Sequence, residues 1–292
     1  MSQHKIASKL VIRLILLTSL LGAAANADSD QKHLILFGGG TKPPAALARF
    51  VEWGGGKRAQ ILVINWATAS PDAAYQAFKT ELAPFNYGSI EPAPIAATLA
   101  KSHDDVLALL TQIQNATAIF FTGGDQNRIM DVLQDKTLIE ALRARYNQGI
   151  VFAGTSAGTA VMSLKMISDA PDLTVIDGTQ VKTREGLGLL QEGIIVDQHF
   201  IKRQRENRLF GLILNSPKYL GLGMNQDSAL MISKGRFAEA VSTVTPMVAM
   251  VIDGSAHPGD LLIHLIEGGQ AYDLLKKEAY EPANSADPAK KL

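Results

Sequence analysis

The sequence predicts an α/β fold, a mostly parallel sheet wound with helices on both faces. Three observations predict it. Short apolar runs alternate with amphipathic stretches of helical length. The runs carry no polar interruption, as strands buried on both faces require. Several end in glycine at the carboxyl edge, the edge of an open α/β sheet where ligands bind.

Leu34-Ile35-Leu36-Phe37 is the first such run, closed by Gly38-Gly39-Gly40. A helix follows from about Pro44 to Trp53 and ends at Gly54-Gly55-Gly56. Ile61-Leu62-Val63-Ile64 is the second run. Pro71 opens a helix reaching toward Phe85, because proline suits a first helical turn. Asp104 to Ile113 reads as another helix. Ala118-Ile119-Phe120-Phe121 then ends at Thr122-Gly123-Gly124. Two helical stretches, about 127–134 and 138–146, lead into Ile150-Val151-Phe152-Ala153. The second half is less regular. Ile194-Ile195-Val196 reads as a strand, and Ala229-Leu230-Met231-Ile232, Met247 to Ile252 and Leu261 to Ile266 read as strands of a closing, antiparallel section. Glu206 to Leu214 and Tyr272 to Ala279 read as helices.

The first 27 residues read as a signal peptide. Lys5, Lys9 and Arg13 form a basic start, residues 14–25 are apolar or small, and Ala25-Asn26-Ala27 fits a cleavage site. A span needs ~20 apolar residues, more than this stretch supplies. Cleavage leaves 265 residues, 28–292, with 25 basic and 28 acidic side chains, a net charge of −3. That balance offers no basis for binding nucleic acid or an anionic membrane. Residues 28–282 are expected to form one domain, and 283–292 a frayed tail. The chain has no cysteine, which excludes disulfides, thiolate metal sites and a cysteine nucleophile.

Ala153-Gly154-Thr155-Ser156-Ala157-Gly158 joins a buried strand to a helix. The pattern is G-x-S-x-G. A nucleophile held on a tight turn needs neighbours of almost no size, so that its Oγ projects above the sheet edge. The Ala157 N–H, at the start of the helix, can point at a developing oxyanion. Serine also favours a helix N-cap, and the motif alone does not separate the two.

Further residues resemble the cyanophycinases, in the serine peptidase family that also holds the aspartyl dipeptidases. Thr122-Gly123-Gly124-Asp125-Gln126, the serine turn, and Asp197-Gln198-His199-Phe200 followed by Arg203, Arg205 and Arg208 stand in that family's order. The resemblance runs over about residues 33 to 232. It implies a three-layer, doubly wound fold like that of class I glutamine amidotransferases. It implies Ser156 as nucleophile, His199 as general base and no cofactor or metal. It places Gly124 or Asp125 at the second oxyanion donor. Gln126, Asp197, Gln198, Arg203, Arg205 and Arg208 match pocket positions, where arginine forks suit carboxylates. The family sets an acid between serine and histidine to orient the imidazole. The candidates are Asp169, Asp172 and Asp177, with Asp172 favoured by its spacing. His33, His103, His257 and His264 lack such context and read as structural.

The implied substrate is cyanophycin, poly-aspartate carrying arginine on each β-carboxyl, cut to β-aspartyl-arginine. A dimer is also implied. Two stretches depart from the family. Gly38-Gly39-Gly40-Thr41-Lys42-Pro43 stands where G-G-A-E-D is usual, and Asn225-Gln226 replaces an Asp-Glu pair. These losses make an exported aspartyl or isoaspartyl dipeptidase the nearest alternative. A non-catalytic binder of acidic peptides is the alternative of another class.

Overall fold

The computed structural model describes residues 31–96, 102–134, 136–170, 172–244 and 246–281. The signal-peptide and tail expectations fall outside them. Strand β1 (Leu34–Phe37) is wholly buried. It is followed by α1 (Pro44–Trp53), β2 (Gln60–Ile64), α2 (Pro71–Leu82), β3 (Ser89–Pro92), α3 (His103–Asn115) and β4 (Ala118–Phe121). Next come α4 (Gln126–Val132), α5 (Lys136–Asn147), β5 (Val151–Thr155) and the single turn α6 (Ala157–Ala160). Pro44 and Pro71 each open a helix, where a missing N–H costs nothing.

The strands β1, β5, β4, β2 and β3 lie side by side, all parallel. Successive side chains point to opposite faces. Ile35, Phe37, Ile61, Val63 and Phe120 therefore pack with Leu47, Phe50 and Phe78 of α1 and α2. Leu34, Leu36, Leu62, Ile64 and Phe121 pack with Ile113, Leu138 and Leu142 of α3 and α5. This is the expected three-layer arrangement, with helices on both faces of the sheet.

The second half begins with the hairpin β6 (Lys165–Asp169) and β7 (Lys182–Glu185). Then come β8 (Ile194–Asp197), α7 (Glu206–Asn215), β9 (Leu220–Met224), β10 (Ser228–Ser233), β11 (Phe237–Ser242), β12 (Met247–Asp253) and β13 (Leu262–Glu267), closed by β14 (Ala271–Asp273) and β15 (Glu278–Tyr280). Strands β10, β11, β14 and β15 extend the main sheet beyond β1, each antiparallel to its neighbour. The antiparallel closing section is as expected. A second sheet, β13-β12-β9-β8, was not foreseen.

The expected last helix, Tyr272 to Ala279, is instead the hairpin β14–β15. Asp273 accepts hydrogen bonds from the Leu275 and Lys276 amides, which folds a turn in place of a helix. Arg236 clasps the same carboxylate and ties it to β11. Lys277 then adopts a positive φ of 59°, which no helix admits. Among the described residues no helix is long and apolar enough to cross a membrane.

Candidate active site

The carboxyl ends of β1, β4 and β5 converge with the loops after β8 and β9. Ser156 leaves β5 with φ 53° and ψ −113°, a conformation non-glycine residues rarely hold. The flanking glycines are required by space. A Cβ on Gly154 would lie 2.1 Å from the Gly158 carbonyl oxygen, and one on Gly158 2.2 Å from that of Phe121. The Thr159 hydroxyl braces the turn by donating toward the Phe37 and Gly154 carbonyls, at 2.7 and 2.6 Å. The Ser156 side chain caps no helix amide, so the N-cap alternative drops out.

His199 follows β8 and also has a positive φ, 52°. Its N–H donates to the Gly38 carbonyl at 2.8 Å. Its ring lies over Gly39, where a Cβ would come 2.1 Å from Cε1. The first glycine turn thus admits the histidine ring. His199 Nε2 stands 2.7 Å from Ser156 Oγ, and Nδ1 stands 2.7 Å from Gln226 Oε1. An amide oxygen only accepts, so Nδ1 carries the proton and Nε2 offers its lone pair to the serine hydroxyl. Burial holds the imidazole below its ordinary value of 6.5. Arg203 and Arg205 push the same way, while the Gln226 bond and Asp197 push back.

The expected orienting acid does not reach the imidazole. Asp172 is exposed, and its carboxylate accepts from the Thr174 amide and hydroxyl at 2.8 and 2.7 Å. Asp177 does the same with Thr179, and Asp169 pairs with Lys182. All three are spent in local turns or strand pairs. The position belongs to Gln226. Parallel pairing sets Asp197 opposite Gly223, which carries the residues after β9 beside those after β8. The sequence marked Gln226 only as a departure from the family.

The remaining predicted residues divide. Ala157 opens α6 directly behind the serine. The Asp125 amide is committed to the Ala67 carbonyl at 2.7 Å, so of that pair it is not free to serve as an oxyanion donor. The Asp125 side chain caps α4 by accepting from Asn127. The Gln126 side chain donates to the Ile167 carbonyl, away from the serine turn. Asp197 is wholly buried and is held by Arg208 through two hydrogen bonds. Arg208 is thereby a structural partner. Arg205 donates to the Gln198 carbonyl at 2.8 Å and lies 3.5 Å from Asp197. Burial, with repulsion from Arg208, pushes its guanidinium down to about 10. Gln198 is buried, and Arg203 is exposed one turn beyond His199. Among the described residues no group of three or more His, Cys, Asp and Glu could hold a metal ion.

The family described as peptidase family S51 matches residues 34–240. A cyanophycinase of Geminocystis herdmanii is 37% identical over 150 residues, covering 49% of this chain and 52% of that protein. A cyanophycinase of Synechococcus elongatus is 30% identical over 216 residues, covering 72% of this chain and 66% of that protein. The chain therefore spans between about half and two thirds of these relatives' lengths. The crystal structure of a peptidase from an acI-B1 actinobacterium superposes with a TM-score of 0.60 at 19% identity, over 82% of this chain and 96% of that one. That likeness bears on the fold, which is of the class I glutamine amidotransferase type. A match over most of the chain, together with these relatives, establishes that the chain belongs to peptidase family S51.

Proposed function

We propose that the protein is an exported serine exopeptidase of cyanophycinase type, with Ser156 as nucleophile and His199 as base. The observation that carries this reading is the 2.7 Å approach of His199 Nε2 to Ser156 Oγ, with the serine on a strained turn. Ser156 Oγ attacks the scissile carbonyl as its proton passes to Nε2. The amides of Ala157 and Gly124 receive the oxyanion. His199 returns the proton to the departing amine, and a serine ester remains. Water then attacks that ester, giving a proton to the same nitrogen, and Ser156 recovers its hydroxyl.

Gln226 holds the productive tautomer but carries no charge, so the imidazolium formed during attack is not neutralised by its nearest partner. Arg203 and the open side of Arg205 are the cations available for a substrate carboxylate. They favour an aspartyl residue at the scissile bond. The neutral Asn225-Gln226 pair favours a second reading, hydrolysis of small aspartyl or isoaspartyl peptides by the same steps.

Incubation of the purified protein with cyanophycin and with α- and β-aspartyl dipeptides separates these readings. The proposal expects β-aspartyl-arginine released from the polymer. Cleavage of dipeptides alone selects the second reading, and no cleavage of any substrate rejects both. Export rests on residues 1–27. A protein recovered outside the cytoplasm with Asp28 at its amino terminus supports it, and recovery with residues 1–27 intact in the cytoplasm rejects it.

A further inference from the structure

The turn between β9 and β10 carries Gln226 at its tip, and Asp227 follows it. Both ends of that turn are tied down. The Asn225 amide donates to the Val248 carbonyl at 2.9 Å, and the Ser228 hydroxyl donates to the Asn225 carbonyl at 2.7 Å. Among the described residues the backbone of Gln226 has no hydrogen bond of its own. The residues on either side therefore set where its side chain points.

Asp227 joins this turn to two other segments. Its amide donates to the Gly39 carbonyl at 2.8 Å, and its Oδ1 accepts the Thr41 amide at 2.6 Å. Its carbonyl accepts the Thr243 amide at 3.2 Å, beyond the end of β11. The first two bonds close on the glycine turn after β1. That is the turn whose Gly38 carbonyl accepts the His199 amide and whose Gly39 lies beneath the His199 ring. The base rests on this turn, and Asp227 clamps the turn from the other side.

The turn needs such a clamp. Gly39 and Gly40 both have positive φ, 102° and 71°, and two adjacent glycines leave a backbone with many other conformations open to it. A Cβ on Gly40 would collide with Asp227 Oδ1, so the carboxylate packs directly on the glycine backbone. Asp227 itself has a φ of 57°, a conformation that aspartate and asparagine tolerate better than other side chains. The geometry that depends on this contact is tight. His199 stands 2.7 Å from Ser156 Oγ on one side and 2.7 Å from Gln226 Oε1 on the other. A ring displaced by about 1 Å loses the proton transfer that the serine needs.

We propose that Asp227 is a positioning residue for the general base: by clamping the Gly39–Thr41 turn beside Gln226, its carboxylate keeps the His199 ring in reach of Ser156. This role rests on the peptidase reading and adds to it a residue that acts through the turn.

Two substitutions test it. Asp227→Gly removes the carboxylate and leaves the positive φ open, whereas Asp227→Asn keeps an acceptor oxygen and suits the same φ. For each, kcat and KM are measured on an aspartyl substrate that the unaltered protein cleaves. The rate at which a fluorophosphonate labels Ser156, with loss of fluoride, is measured alongside, because that reaction uses the base without any substrate. Asp227→Gly is expected to lose about ten-fold or more in kcat, to keep KM within about two-fold, and to label more slowly by a similar factor. Asp227→Asn is expected to restore both rates to within about two-fold. Unaltered rates in Asp227→Gly, a loss confined to KM, or an Asp227→Asn protein as impaired as Asp227→Gly overturns the assignment. So does an Asp227→Gly protein that no longer folds, which would show a purely structural role. Failure of the peptidase reading shows separately, as no hydrolysis of any aspartyl substrate by the unaltered protein; the labelling rates then decide the role of Asp227, and a Ser156 that does not label in the unaltered protein overturns both.

Discussion

His199 and Gln226 set the chemistry at the scale of single residues. A general base works when neutral, and burial lowers the His199 pKa, so the acid limb of kcat/KM should have its midpoint below 6.5. Gln226→Glu puts a negative charge 2.7 Å from Nδ1, favours the imidazolium and raises that midpoint by about 1 unit or more. An unmoved pH profile would remove Gln226 from the orienting role. Asp172→Asn should leave turnover within about two-fold of the unaltered rate, because its carboxylate serves only the Thr174 turn and is exposed. A large loss there would restore the acid expected from chain order. The serine and histidine were legible because each sits inside a dense local pattern. Gln226 was not, because its role comes from the register of β8 against β9, and linear spacing does not encode that pairing.

Glycine placement decides how the elements meet. The turn after β1 passes so close beneath His199 that a methyl group at Gly39 would occupy the ring's space, and its φ of 102° is itself unfavourable for alanine. Gly39→Ala should keep the far-ultraviolet circular dichroism of the fold and lose about 100-fold or more in kcat, since a misplaced base is costly. Full activity in that variant would mean that the His199 ring sits elsewhere. The parallel strands were legible from their unbroken apolar runs, and Pro44 and Pro71 marked helix starts to the residue. Strand β9 was hidden by its own glycines. Gly223 lies against the Phe200 ring and Gly221 against Leu209 and Ile213, so Leu220-Gly221-Leu222-Gly223-Met224, which the sequence pattern assigns to no element, packs as a strand. The β14–β15 hairpin was misread for a related reason. Asp273 and Arg236 fix it across strands, and that bond is invisible in a helical pattern around Tyr272.

Over the whole molecule, the carboxyl ends of β1 and β5 and the loops after β8 and β9 meet at Ser156, His199 and Gln226. Arg203 and Arg205 follow His199 in the segment after β8. All of this depends on Ser156 forming the covalent bond. The most direct measurement is the hydrolysis rate of an aspartyl substrate by the unaltered protein and by Ser156→Ala, at matched folding. A loss of about 10⁴-fold or more, with substrate binding retained, is the predicted result. A rate for Ser156→Ala within about ten-fold of the unaltered protein would contradict the account.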